Sequence, residues 1–357
     1  MRKIICLILA LFSLFLSSCS GKEPPPKTEE PKKDEWVTPK DYMDGRFIYY
    51  NGKRYDTEER VVTVLCPDPL CDHGESCVMK NAGEIALITE KYIYFRSTFM
   101  AKKFTRYDKL NNKYEEFFTA EGQCGYAFLL GDDLYLCASE YEYAGTGELT
   151  GEVWHMYLAE NEGAPVKITA EPLPSSVAVH SYNPATGKII CYFESTFFET
   201  DSGFSYTEYC ERPKISHGGY YYEIGYNKAD PQKPDTWCLK YERTNAETGE
   251  TEVIVNDAEV IRVIENAESE FEGVAWTDKN GVAYYKSFGG GTSHTWNLGD
   301  GYTVHNILLG NKHAQAGEWF MVGAAKWQKD EEGKYVISEW RTMAFNFATG
   351  EAFEFKE

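Results

Sequence analysis

The feature that most restricts this chain is a recurrence of short aromatic or aliphatic strands, each entered from a polar turn. They begin near Phe47, Tyr92, Leu134, Ile189, Tyr220, Val282 and Trp319, and most follow a Gly or Asp. The mean spacing is about 45 residues, within the range for four-stranded propeller blades. The stretch Val274 to Tyr285 shows the unit: Val274-Ala275-Trp276 and Val282-Ala283-Tyr284-Tyr285 read as two strands closed by Asn280-Gly281. Both turn residues tolerate the positive φ of a tight hairpin. Two further strands are expected after each such hairpin. Phe104 to Asp108 runs through Leu110-Asn111-Asn112 into Tyr114 to Phe117, and Cys238 to Tyr241 through Asn245 to Gly249 into Glu252 to Val255. Ala344 to Phe347 leads through Ala348-Thr349-Gly350 into Ala352 to Phe355.

The expected fold is therefore all-β: a β-propeller of about seven four-stranded blades over residues 42–357. The intervals from Ile189 to Tyr220 and from Tyr220 to Val282 are uneven, which leaves six or eight blades open. Asp257 to Phe271 reads equally as strand or short helix. A pair of β-sandwiches explains many short strands but not a period sustained from residue 47 to residue 319. Aromatics make up 15% of the chain, which suits strands because rings cover a half-buried pleated surface. The loose aromatic hairpins with Tyr-Asp turns resemble TolB-like propellers, and that resemblance covers about residues 42–357.

The N-terminus reads as an address. Arg2 and Lys3 precede an apolar run from Ile4 to Leu16, of a length right for a secretory signal peptide and short for a stable membrane span. Leu16-Ser17-Ser18-Cys19 resembles the lipobox of bacterial lipoproteins. The resemblance implies cleavage before Cys19, a signal peptide of residues 1–18 and lipidation of Cys19; the alternative is an ordinary signal ending near Ser18. Residues 19–41 are rich in Pro and charge, cannot bury enough surface to fold, and form a tether reaching on the order of 50 Å. The expected location is the extracytoplasmic face of a bacterial membrane, with the membrane as partner through the N-terminal lipid. Loss of Arg2 and Lys3 takes the formal charge from −20 to −22. That balance excludes nucleic acid, which needs clustered Lys and Arg, and holds the body off anionic lipid.

Cys66-Pro-Asp-Pro-Leu-Cys71-Asp-His73-Gly-Glu-Ser-Cys77 is the one dense cluster of reactive side chains. It resembles a Cys-x-Asp-Pro-Leu-Cys-x-His segment of uncharacterised bacterial propeller-like lipoproteins, from which no activity follows. Cys66, Cys71, His73 and Cys77 match the donor set of a structural zinc site. A disulfide between two of the three cysteines is the competing reading outside the cytoplasm, and a reduced, packed loop is a third. Cys124, Cys137, Cys191, Cys210 and Cys238 read as small buried hydrophobes.

Enzyme motifs are lacking. No Gly-x-Ser-x-Gly, His-Glu-x-x-His, phosphate loop or Asp-x-Asp-x-Asp-Gly calcium loop occurs. Gly289-Gly290-Gly291-Thr292-Ser293-His294 reads as a loop between strands. Two functions remain. The first is non-catalytic binding or scaffolding of an extracellular protein or glycan, for which Trp276, Trp296, Trp319, Trp327, Trp340 and Tyr220-Tyr221-Tyr222 are candidate platforms; blade-to-blade packing is their structural alternative. The second is a glycan-active hydrolase or lyase with acids and His155, His180, His217, His294, His305 or His313 at the channel mouth. Cys19→Ala should move the protein from the membrane to the soluble fraction; unchanged partition of the variant contradicts the anchor.

Overall fold

The computed structural model describes residues 36–39, 42–50, 52–96, 101–193, 196–211, 216–228, 237–265, 271–278, 280–299, 301–304 and 315–355. Cys19, the signal peptide, most of the tether, His305 and His313 lie outside these. Seven antiparallel sheets follow one another along the chain as the blades of a propeller. They span residues 47–64, 84–119, 124–167, 178–210, 216–258, 260–297 and 302–354, numbered here as blades 1 to 7. Blades 2 to 6 have four strands in sequence order, blade 1 has three, and in blade 7 two short strands share one edge of Trp319–Lys329. The described residues contain one 3₁₀ turn, Glu160–Glu162, and no helix long and apolar enough to cross a membrane.

The apolar runs are continuous because both faces of a blade are covered. Side chains alternate along a strand, so in Tyr92-Ile93-Tyr94-Phe95 the tyrosines face blade 3 and Ile93 and Phe95 face blade 1. Leu134 and Leu136 likewise meet blade 2, while Tyr135 and Cys137 meet blade 4. Tyr241 and Val255 join blade 5 to blade 6, and Trp296 packs between Phe320 and Phe345 at the junction of blades 6 and 7. The ring closes where Ile48 and Tyr55 of blade 1 meet Met321, Ala344 and Phe353 of blade 7. Among the described residues, no such buried cluster joins blades 4 and 5. In the last strands, such as Lys113–Thr119 and Ala352–Glu354, every residue but Phe353 is exposed or half-buried, as at an outer rim. The first strands therefore line the axis.

One turn recurs. Asn183, Asn245 and Asn346 each begin an Asn-x-x-Thr-Gly segment. In each, the Asn Oδ1 accepts the backbone N–H groups two and three residues on. The Gly adopts φ of +70°, +73° and +78° in turn, a conformation that costs other residues a steric clash. Asp56 and Asp108 cap equivalent turns with Arg60 and Asn112 in the left-handed position.

Two expectations change. The hairpin Val274 to Tyr285 joins the second and third strands of blade 6, Phe271–Thr277 and Val282–Ser287, and only Ser293–Asn297 follows it. Its phase is one strand later than at Tyr92, Leu134, Ile189, Tyr220 and Trp319, which lie on second strands, and this lengthens the interval before Val282. Asp278 rather than Asn280 organises the turn, accepting the N–H groups of Asn280 and Val282, and of that pair Gly281 alone takes positive φ. The ambiguous stretch contains a strand, Val260–Glu265.

Truncating a residue at a blade junction removes both transfer energy and packing. Phe345→Ala, at a fully buried position, should cost about 3–5 kcal/mol. Leu110→Ala, 85% exposed, should cost less than about 0.5 kcal/mol. Denaturant midpoints for the two variants check this, and equal losses contradict it.

Candidate functional site

Each blade is a chain of antiparallel strands entered at its axial edge. The turn between second and third strands and the link to the next blade consequently open on one face of the ring. The turns between first and second and between third and fourth strands open on the other. The Cys/His loop and the longest hairpins share the first of these faces.

The loop, residues 65–83, links blade 1 to blade 2. It sits on the turn at Gly52, whose carbonyl accepts the Leu65 N–H at 2.9 Å. Gly52 has φ of +68°, and a Cβ there would stand 2.7 Å from the Met79 carbonyl oxygen. Leu65, Met79 and Ala82 anchor the two ends in the core shared by blades 1 and 2. Between them the chain brings Cys66, Cys71, His73 and Cys77 together, with all four ligating atoms within 4.8 Å of one another. Cys77 Sγ lies 3.8 Å from Cys66 Sγ and 3.8 Å from His73 Nδ1. The His73 N–H points at Cys71 Sγ, 3.4 Å away, from a backbone with φ of +56°.

Burial penalises the Cys77 thiolate, but the His73 imidazole and the Lys80 and Met79 N–H groups outweigh it and lower the thiol. Cys66 is raised, chiefly by burial. Cys77 is buried, Cys66 and Cys71 are half-buried and His73 is exposed. Among the described residues, no other group of three or more Cys, His, Asp or Glu side chains converges in this way.

Of the histidines named for a channel site, His155, His180 and His294 have described side chains. His155 is buried in blade 3 beside Thr169 Oγ1 at 3.0 Å. His180, in blade 4, lies edge-on to Phe197, and His294, in blade 6, rests against Gly350 of blade 7. The tryptophans divide. Trp296 and Trp319 pack at blade junctions, and Trp276 lies against the core between blades 5 and 6. Tyr222 stacks there on Tyr241 and lies tilted against Phe288. Trp327 and Trp340 are exposed, at 41% and 44%. Of the remaining cysteines, Cys124, Cys137 and Cys191 are buried, whereas Cys210 and Cys238 are half-buried.

Three second-to-third hairpins outgrow the rest. They are Asp133–Tyr143 with Leu149–Ala159 in blade 3, Tyr220–Lys228 with Trp237–Asn245 in blade 5, and Trp319–Lys329 with Tyr335–Asn346 in blade 7. In blades 3 and 7 the inner halves are buried, whereas in blade 5 Tyr241 alone of the described residues is; the three hairpins expose Tyr143, Leu149, Ile224, Tyr226, Trp327, Tyr335 and Trp340. Hairpin length was the missed signal: strands of eleven or twelve residues stand out against the four to seven common elsewhere in the chain.

The opposite face carries the start of the described chain. Val37 exchanges backbone hydrogen bonds of 2.8 and 2.7 Å with Tyr182, on the first strand of blade 4. Tyr42 N–H donates to the Ile88 carbonyl on the first strand of blade 2, and Gly317 N–H to the Asp44 carbonyl. The segment expected to be free tether up to residue 41 is thus tied to the ring by Val37. The pairing is backbone to backbone, so the Pro-rich composition around it gives no sign of it.

No protein-family model matches this chain, and no curated protein matches it. Solved structures do, at low identity, and those that follow are β-propeller proteins. An oligogalacturonate lyase in complex with manganese is 10% identical over 89% of each chain, with a TM-score of 0.42. A puromycin hydrolase mutant complexed with PGG is 11% identical over 90% of this chain and 51% of its own, with a TM-score of 0.44; the chain spans about half of that protein. BamB from Moraxella catarrhalis is 10% identical over 86% of this chain and 98% of its own, with a TM-score of 0.31.

Proposed function

We propose that this protein is a lipid-anchored, extracytoplasmic β-propeller that binds or scaffolds an extracellular protein or glycan without catalysis. The observation that carries this reading is the trio of extended hairpins on one face. Isolated exposed apolar residues are ordinary, but a cluster on projecting strands favours a contact surface. Tyr and Trp suit that task because each offers a large rigid area at small entropic cost. Alternate blades 3, 5 and 7 supply the hairpins, so they surround one end of the axis.

The position of the N-terminus supports the same arrangement. An anchor at Cys19 would pull on the face where Val37 and Tyr42 are tied down. The hairpin face would then look away from the membrane, toward material outside the cell. The acidic charge works in the same direction by keeping the ring off an anionic surface. The channel-enzyme reading gains no converging group of His and acid side chains among the described residues, although His180 lies on a first strand.

A Trp327→Ala, Trp340→Ala double variant tests the proposal. Both side chains are exposed, so thermal stability should stay near that of the unaltered protein. In a glycan and peptide binding screen, the ligands held by the unaltered protein should bind the variant at least about tenfold more weakly, as expected when aromatic contacts are removed. Unchanged binding by a folded variant contradicts the hairpin assignment.

A further inference from the structure

We propose that Cys66, Cys71, His73 and Cys77 bind one Zn²⁺, and that this ion is the fastening of the loop between blades 1 and 2. The loop poses a physical problem that the rest of the fold does not solve. Residues 65–83 form no helix or strand, and unstructured connections of more than about 12–15 residues are uncommon in compact domains. The core holds the ends and Cys77, with Cys66 and Cys71 only partly buried against it. Leu65 and Cys77 bracket a stretch in which Leu70 is 93% exposed and no apolar side chain is buried.

Hydrogen bonds hold the second limb alone to its anchored end, where Asn81 Nδ2 donates to the Glu75 and Cys77 carbonyls and Lys80 pairs with Glu75. Within 66–77 the backbone bonds are Cys71 N–H to the Asp68 carbonyl and Cys77 N–H to the Gly74 carbonyl, both purely local. Asp68 and Asp72 each cap a neighbouring N–H two residues on. Among the described hydrogen bonds, only those to the donor side chains run between residues 66–71 and residues 73–77. Their geometry fits a single small ion. Four ligands at about 2.3 Å in a tetrahedron place sulfurs about 3.8 Å apart, the separation found for Cys66 and Cys77. A disulfide needs about 2.05 Å.

The donor types narrow the metal. Three sulfurs and one imidazole favour a soft or borderline cation, whereas calcium and magnesium take oxygen. Four protein ligands leave no open position for a reacting water, so the centre is structural. Binding displaces the thiol protons to solvent and leaves the site with one net negative charge. Its binding energy is then available to the fold only once the loop has closed. Because Cys77, Met79 and Ala82 belong to the core of the first two blades, closure of the loop also presses three-stranded blade 1 onto blade 2.

The test uses the full-length protein, extracted in detergent from cells grown with zinc. Elemental analysis should find about one zinc per chain, and X-ray absorption should show three sulfur neighbours near 2.3 Å and one nitrogen near 2.0 Å. His73→Ala alters only an exposed ligand, so it should fold, yet lose zinc to a competing chelator faster than the unaltered protein. Cys77→Ser should purify with little zinc, and chelation of the unaltered protein should lower its melting temperature. Metal-free protein with a mapped disulfide among the three cysteines overturns the proposal. So does zinc retained equally by both variants, occupancy by a different metal, or a melting temperature that chelation leaves unmoved.

Discussion

Burial of a blade's two faces by two different neighbours is the interaction on which this structure depends. A single sheet such as Glu84–Ile88 with its three partners presents greasy residues on both sides, and alone it would leave one side wet. A ring solves this for every sheet at once, provided the last blade meets the first. Here closure relies on side chains. Ile48 and Tyr55 enter the same cluster as Met321 and Phe353, and the Tyr55 ring meets that of Phe355 edge-on at 5.1 Å.

The architecture was legible because two-sided burial leaves an unusual mark on a sequence. Runs such as Tyr-Ile-Tyr-Phe or Leu-Tyr-Leu-Cys have no polar alternate residue, and they repeat with turns between them. That pattern carried the fold, while the uneven intervals around Tyr220 left six or eight blades open beside seven. The phase within blade 6 was not legible, because Phe271–Thr277 and Val282–Ser287 are both plausible second strands on local composition alone. Pairing decides between them, and Val260–Glu265 supplies the missing partner.

The Cys/His cluster was visible from spacing, since its members lie within twelve residues; its position between blades 1 and 2 was not. The hairpin face was invisible for the opposite reason. Trp327 and Trp340 are separated by a turn, while Tyr143 and Tyr226 sit in other blades. Ring geometry brings these side chains to one face, and no local motif encodes that. The same geometry gives the two faces different elements. One receives the N-terminal segment through Val37 and Tyr42, and the other carries the long hairpins and the loop at Cys66.

Amide hydrogen exchange under native conditions tests the central claim of a closed, mutually buried ring most directly. If packing between blades 7 and 1 completes the fold, amides beside Ile48 and Met321 should be as strongly protected as those beside Tyr94 and Leu136, all exchanging through global unfolding. Exchange in blades 1 and 7 that is orders of magnitude faster than in blades 2 and 3 would show an open ring and contradict the account.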